Sequence, residues 1–212
     1  MNPRVLIAIG LALVGTACSR REAPSEQAIA AQDPAVRGAV ASIERLGGKV
    51  EFDDAAPGRP VVKVDLHGTA VTDADLTVLE SLPDLRKLDL RLTKIGDAGL
   101  VHAQGLRHLQ VVNLFRTNTS DAGLRYLAQN NDLETLLIGG TRVTDDGLAV
   151  VAGFPHLKKI SLFETAVTDA GMKHLLGLSS LENLLVAKSK VTEGGMAQIR
   201  RALPKVSFEE NI

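Results

Sequence analysis

The stretch Leu157–Ser180, LKKISLFETAVTDAGMKHLLGLSS, decides the fold. Its first half, Leu157-x-x-Ile160-x-Leu162, alternates apolar and polar residues as a half-buried strand does. Thr168-Asp169 then reads as a helix start, and Met172, Leu175 and Leu178 follow at helical spacing. The same unit recurs every 24 residues, beginning at Val61, Leu85, Leu109, Leu133, Leu157 and Leu181.

With the first residue of each unit as position 1, positions 1, 4 and 6 are apolar in all six copies. Their side chains turn inward, and stacked copies build a parallel sheet with neighbours about 4.8 Å apart. Position 9 is a column of hydroxyls: Thr69, Thr93, Thr117, Thr141, Thr165 and Ser189. These are expected to bond the backbone of the turn and to stack as a ladder between repeats. Thr or Ser at position 12 caps the helix, and the Asp column at position 13 (Asp73, Asp97, Asp121, Asp145, Asp169, with Glu193 last) suits the helix dipole. Gly99, Gly123, Gly147, Gly171 and Gly195 at position 15 cost helix propensity, which close approach of neighbouring coils would explain. The first copy has Asp75 there, giving a capping-box variant with Thr72. Asn130 stands at position 22, where other copies have Leu or Phe; it either bonds the local backbone or widens its coil.

The pattern resembles the leucine-rich repeat family, L-x-x-L-x-L-x-x-N/T-x-L, and more narrowly bacterial repeats reading T-D-x-G-L, related to the ribonuclease-inhibitor type. The resemblance covers Val61 to Leu203 and implies an α/β solenoid. Its parallel sheet would line the concave face and its short helices the convex face. Residues 34–60 read as an N-terminal cap, a helix over Pro34–Leu46 followed by a short strand at Val50 and Phe52. Residues 61–212 hold the six units and a terminal strand over Val206–Phe208, with Glu209-Glu210 discouraging further strand addition.

The front of the chain is different. A basic start, the apolar run Val5–Gly15 and small residues before Cys18 match a secretory signal peptide over residues 1–17. The run is shorter than the roughly 18 residues that span a bilayer. Val14-Gly15-Thr16-Ala17-Cys18 resembles the bacterial lipobox, with Gly15 where Leu is usual. That resemblance implies a lipidated Cys18 at the mature N-terminus and a flexible tether over residues 18–33. It also implies export to the envelope, as an outer-membrane lipoprotein anchored through its lipid. Ordinary secretion with a spectator thiol is the other reading.

Nothing in the chain announces chemistry. It has no G-x-S-x-G, H-E-x-x-H or phosphate loop, and the five histidines fall in three different positions of the repeat. A catalytic residue, a metal and a cofactor are therefore not expected. Net charge of −1 and 3% aromatics point away from nucleic acid. Function is expected on the sheet's outward positions 3, 5, 7 and 8, taken to be free of any role in folding. The first two coils carry Lys63, Asp65, Lys87, Asp89 and Arg91 there; later coils carry Phe115, Leu137, Gly139, Lys159 and Phe163. Phe115 and Phe163 are two coils apart, about 10 Å at the sheet spacing, so they either frame an open slot floored by Gly139 or lie flat over it. The expected role is a non-catalytic, monomeric scaffold for a protein or peptide ligand. The alternative is an intracellular adaptor of the kind that selects targets for ubiquitin ligases.

Overall fold

The computed structural model describes residues 33–209. The expected signal peptide, Cys18 and the tether up to residue 32 lie outside the described residues. Asp33 starts the first helix: its carboxylate accepts the Ala35 N–H at 2.7 Å, and Pro34 fills the first helical position. This helix, α1 (Pro34–Arg45), turns Ala39, Val40 and Ile43 into the core and packs against the first coil's 3-10 helix, Asp73–Ser81. The chain returns through β1 (Lys49–Phe52), which pairs antiparallel with β2 (Val61–Asp65). An antiparallel strand on an otherwise parallel sheet covers the first coil's edge.

From β2 onward the chain winds in one direction. The strands β3 (Lys87–Asp89), β4 (Val111–Asn113), β5 (Thr135–Leu137), β6 (Lys159–Ser161), β7 (Asn183–Leu185) and β8 (Ser207–Glu209) each pair parallel with the one before. Register is constant: Lys63, Lys87, Val111, Thr135, Lys159, Asn183 and Ser207 lie side by side. Across from the sheet run α2 (Asp97–Leu100), α3 (Asp121–Leu124), α4 (Asp145–Val151), α5 (Asp169–Met172) and α6 (Glu193–Ala202), several of them tightening into 3-10 turns. Leucines at positions 1, 4 and 6 fill the space between the two layers and are almost wholly buried. Each such side chain contributes about 1.5–3 kcal/mol. The last strand differs from the sequence reading. It begins at Ser207 rather than Val206, because the ladder holds the 24-residue register through the irregular end of the sixth unit.

The position 9 hydroxyls do not form a ladder between repeats. Each donates to the carbonyl three residues back in its own coil, from Thr93 to Leu90 at 2.6 Å and from Thr165 to Leu162 at 2.7 Å, for instance. The link between coils is the Asp column. Asp145 Oδ1 accepts the Thr168 N–H at 2.7 Å and Oδ2 accepts the Thr168 hydroxyl at 2.7 Å; the hydroxyl in turn accepts the Ala170 N–H at the start of α5. The same staple joins Asp97 to Ser120, Asp121 to Thr144 and Asp169 to Thr192. Where position 12 is Gly96, only its N–H remains, and Asp73 takes it at 2.7 Å.

This staple explains the glycines. A Cβ on Gly147 would lie 2.4 Å from Asp121 Oδ1, and one on Gly171 2.3 Å from Asp145 Oδ1. The carboxylate of each coil occupies the space that a side chain at position 15 of the next would need. Asp75 is tolerated at that position in the first coil and instead accepts both the N–H and the hydroxyl of Thr72.

The staple also sets an acid limit. The Thr192 hydroxyl and N–H lower the pKa of the Asp169 carboxyl, and the Gly195 N–H helps. A carboxylate lowered on folding adds stability that is full above its unfolded pKa and disappears as pH falls through its folded one. As pH falls through the ordinary carboxylate range and below it, the urea midpoint is expected to fall, and the cost of Asp169→Asn to shrink toward zero. A penalty for Asp169→Asn as large at the acid end as at neutrality would show that the charge is not what stabilises.

Candidate binding groove on the sheet face

Two positions that the sequence presents as free of folding duty turn out to carry it. Position 8 is left-handed in every coil: φ is 65° at Gly68, 58° at Leu92, 53° at Arg116, 68° at Gly140, 56° at Glu164 and 58° at Lys188. Four of these carry a side chain in a conformation that costs L-residues about 1–2 kcal/mol. Position 5 bends the chain into that turn in the first three coils. Asp65, Asp89 and Asn113 each accept the N–H of the residue two further on, all at 3.1 Å. In the remaining coils position 5 is Leu137, Ser161 and Leu185, which form no such bond.

A groove spans both halves of this face. Its volume is about 570 Å³, and its lining includes Arg91, Phe115, Leu137 and Lys159 from the expected set. The structure adds His67, Leu92, Asn113, Ser161, Leu185 and Glu209 to it. Of the other expected residues, Lys87 is an exposed part of β3, and Asp89 holds the Arg91 N–H, with Arg91 Nε 3.5 Å from its second oxygen. Glu209 is legible in the sequence only as a tail charge. The β8 register places it on the sheet face, where it receives Lys159 Nζ at 2.9 and 3.0 Å across the intervening strand.

The open slot between the two phenylalanines is absent. Ring centroids of Phe115 and Phe163 are 6.2 Å apart with a 43° tilt, so the rings lean together instead of standing 10 Å apart. Gly139 lies buried beneath them: a Cβ there would be 3.1 Å from Phe115 Cδ2 and 3.1 Å from the Phe163 Cβ. An aromatic pair gains about 0.5–1.5 kcal/mol beyond burial, which favours contact over a gap. The Arg116 guanidinium stands 5.2 Å from one ring and the Lys188 ammonium 5.0 Å from the other. Arg116 is also 3.2 Å from Glu164. The result is a cation-flanked aromatic ridge.

At the groove's other end His67 Nδ1 is 2.6 Å from Asp65 Oδ1. Partial burial raises the Asp65 pKa, but the bonds from the His67 ring and N–H outweigh it and leave the carboxyl lowered. Leu92 stands on the rim, 52% exposed. Among the described residues, no group of three or more His, Cys, Asp or Glu is placed to hold a metal ion.

Comparison with known proteins agrees with this geometry. A model described as Leucine Rich repeat matches residues 81–101, the end of the first coil and the strand and helix start of the second. The chain is also similar to internalin C2 (inlC2) of Listeria monocytogenes, with 17% identity and a TM-score of 0.54. The likeness covers 83% of this chain and 82% of that one.

The fold is a leucine-rich-repeat solenoid.

A second internalin of the same bacterium, inlF, is 16% identical with a TM-score of 0.53, over 83% of this chain and 55% of that one. No curated protein matches the sequence. At these identities the likeness shows how the leucine-rich-repeat coils stack.

Proposed function

We propose that this solenoid is a non-catalytic scaffold that captures a protein or peptide on its sheet face, displayed at a bacterial envelope through a lipid on Cys18. One observation carries the capture reading. The groove of about 570 Å³ combines an exposed Leu92 with the Phe115–Phe163 ridge, in a chain where aromatics are only 3% of residues. Exposed apolar and aromatic groups gathered around one concavity, with cations at the edge, are the composition of an interaction hot spot. Leu92 and Arg116 also hold costly left-handed conformations on this face, where a residue serving folding alone would be glycine, as at Gly68 and Gly140.

Envelope display rests on the sequence: the apolar run Val5–Gly15 and the lipobox-like residues before Cys18. Two acyl chains on one cysteine give stable anchoring, at about 0.8 kcal/mol per buried methylene. Among the described residues, no helix is long and apolar enough to cross a membrane. A palmitate analogue is expected to label the wild-type chain and not Cys18→Ser; equal labelling of both would remove the anchor.

Capture is tested by affinity pull-down with the Phe115→Ala/Phe163→Ala double variant. Retention of specific partners is expected to fall at least about 30-fold, as hot-spot truncations of about 2 kcal/mol or more do. Both rings are only part-buried, so the coils are expected to stay folded by circular dichroism. Undiminished capture by a folded double variant would move the binding surface elsewhere.

A further inference from the structure

The sheet face divides into two halves that treat the same backbone group differently. In the first three coils the position 7 N–H is held by Asp65, Asp89 or Asn113, each at 3.1 Å. In the next three the equivalent N–H groups, of Gly139, Phe163 and Ala187, meet no acceptor among the described residues. Their backbone is fixed in the same pose. The carbonyls of these residues accept the N–H groups of Arg116, Gly140 and Glu164 at 2.8, 2.7 and 3.0 Å. The following φ angles, 68°, 56° and 58°, match the 65°, 58° and 53° of the first half. The three donors are therefore aimed as their counterparts are, into the space above position 5.

The position 5 residues of these coils, Leu137, Ser161 and Leu185, line the groove. Ser161 is an independent sign of a ligand. It is only 5% exposed, it lines the groove, and its hydroxyl bonds to nothing among the described residues. That hydroxyl, open to the groove and without a partner among the described residues, can donate to an incoming acceptor.

The geometry points to a carboxylate site: coils five and six hold an acidic side chain of an extended peptide on the neighbouring N–H groups of Phe163 and Ala187 and the Ser161 hydroxyl, Gly139 being covered by the aromatic ridge. This deepens, and rests on, the sheet-face reading proposed above. The first half of the sheet shows what fits, since the chain itself supplies an aspartate there twice and an asparagine once. Leu137 and Leu185, on either side of Ser161, offer apolar walls to neighbouring aliphatic side chains. Charge favours an anion over a neutral carbonyl. Lys188 follows directly on Ala187, is exposed, and forms no ion pair among the described residues. A charge-assisted bond is about twice as strong as a neutral one.

The test is an amide NMR titration of the full chain with two blocked tripeptides, leucine–aspartate–leucine and leucine–asparagine–leucine. The aspartate peptide is expected to move the Phe163 and Ala187 amide protons downfield, saturably, with about tenfold higher affinity than the asparagine peptide. Ser161→Asp, which gives the fifth coil the cap that Asp89 gives the second, is expected to keep the fold and lose at least about tenfold in affinity. Ser161→Ala is expected to weaken binding while leaving the N–H row responsive. Unmoved Phe163 and Ala187 amides, equal affinity for the two peptides, or undiminished binding by Ser161→Asp would each overturn the site. Failure here with partner capture still sensitive to the Phe115/Phe163 double variant would leave the scaffold reading standing. A responsive N–H row with capture insensitive to that variant would sink the scaffold reading as argued from the ridge.

Discussion

Gly171→Ala is expected to destabilise the solenoid by about 2–4 kcal/mol, although it adds one methyl group and improves helix propensity. The added Cβ would lie 2.3 Å from Asp145 Oδ1, 2.9 Å from its Cγ and 3.0 Å from its Cα, so backbone as well as side chain must give way. Moving Asp145 breaks two bonds of 2.7 Å to Thr168 and loosens the start of α5. Gly177→Ala, six residues further on, is the control. No heavy atom stands within 4 Å of its Cβ site, and its φ is not left-handed, so it is expected to be neutral or to stabilise by up to about 1 kcal/mol. Urea unfolding followed by circular dichroism separates the two.

A double-mutant cycle identifies the cause. Asp145→Ala alone is expected to cost about 1.5–3 kcal/mol for its charged hydrogen bonds. With the carboxylate gone, Gly171→Ala should lose at least about 1 kcal/mol of its penalty, a coupling expected only of residues in contact. Simple additivity would mean that the glycine serves something other than the carboxylate of the preceding coil.

Phe154→Ala is expected to be somewhat more severe, at about 3–5 kcal/mol, because this ring is fully buried and its truncation leaves a cavity in the core. One coil earlier the same position holds Asn130, also fully buried. Its amide donates to the Leu127 carbonyl at 3.1 Å, but its Oδ1 has no partner among the described residues. The Leu127 carbonyl also receives the Asn130 N–H at 2.9 Å, so it keeps a donor without the side chain. Asn130→Leu is therefore expected to stabilise by about 1–2 kcal/mol, opposite in sign to the change at Phe154. Chemical denaturation of the two variants checks both, and a destabilised Asn130→Leu would show that the coil needs the amide.

The architecture was legible because the repeat states it six times. Position 1, 4 and 6 leucines face inward in any stacked strand, and Asp33-Pro34 starts a helix whatever lies beyond it, so period and capping chemistry fix the stacked α/β coils. The glycines at position 15 marked a close approach correctly, yet the group approaching was invisible. Asp145 and Gly171 are 26 residues apart, and only the coil pitch brings them together. The Thr column misled for the same reason, since a hydroxyl can bond within its coil or across to the next, and sequence does not choose.

The sheet face was read least completely. Outward positions could be named, but which of them bend the backbone and which face a ligand depends on turn geometry. Asp65 and Asp89 looked like recognition charges and proved to be caps. Phe115 and Phe163 looked like walls of a gap, and their 6.2 Å contact depends on side-chain torsions that a repeat pattern does not carry. Local interactions, written within a coil, determined the coil itself. What the coils do to one another, from the Asp staple to Glu209 reaching Lys159, follows from a register that exists only once the chain is wound.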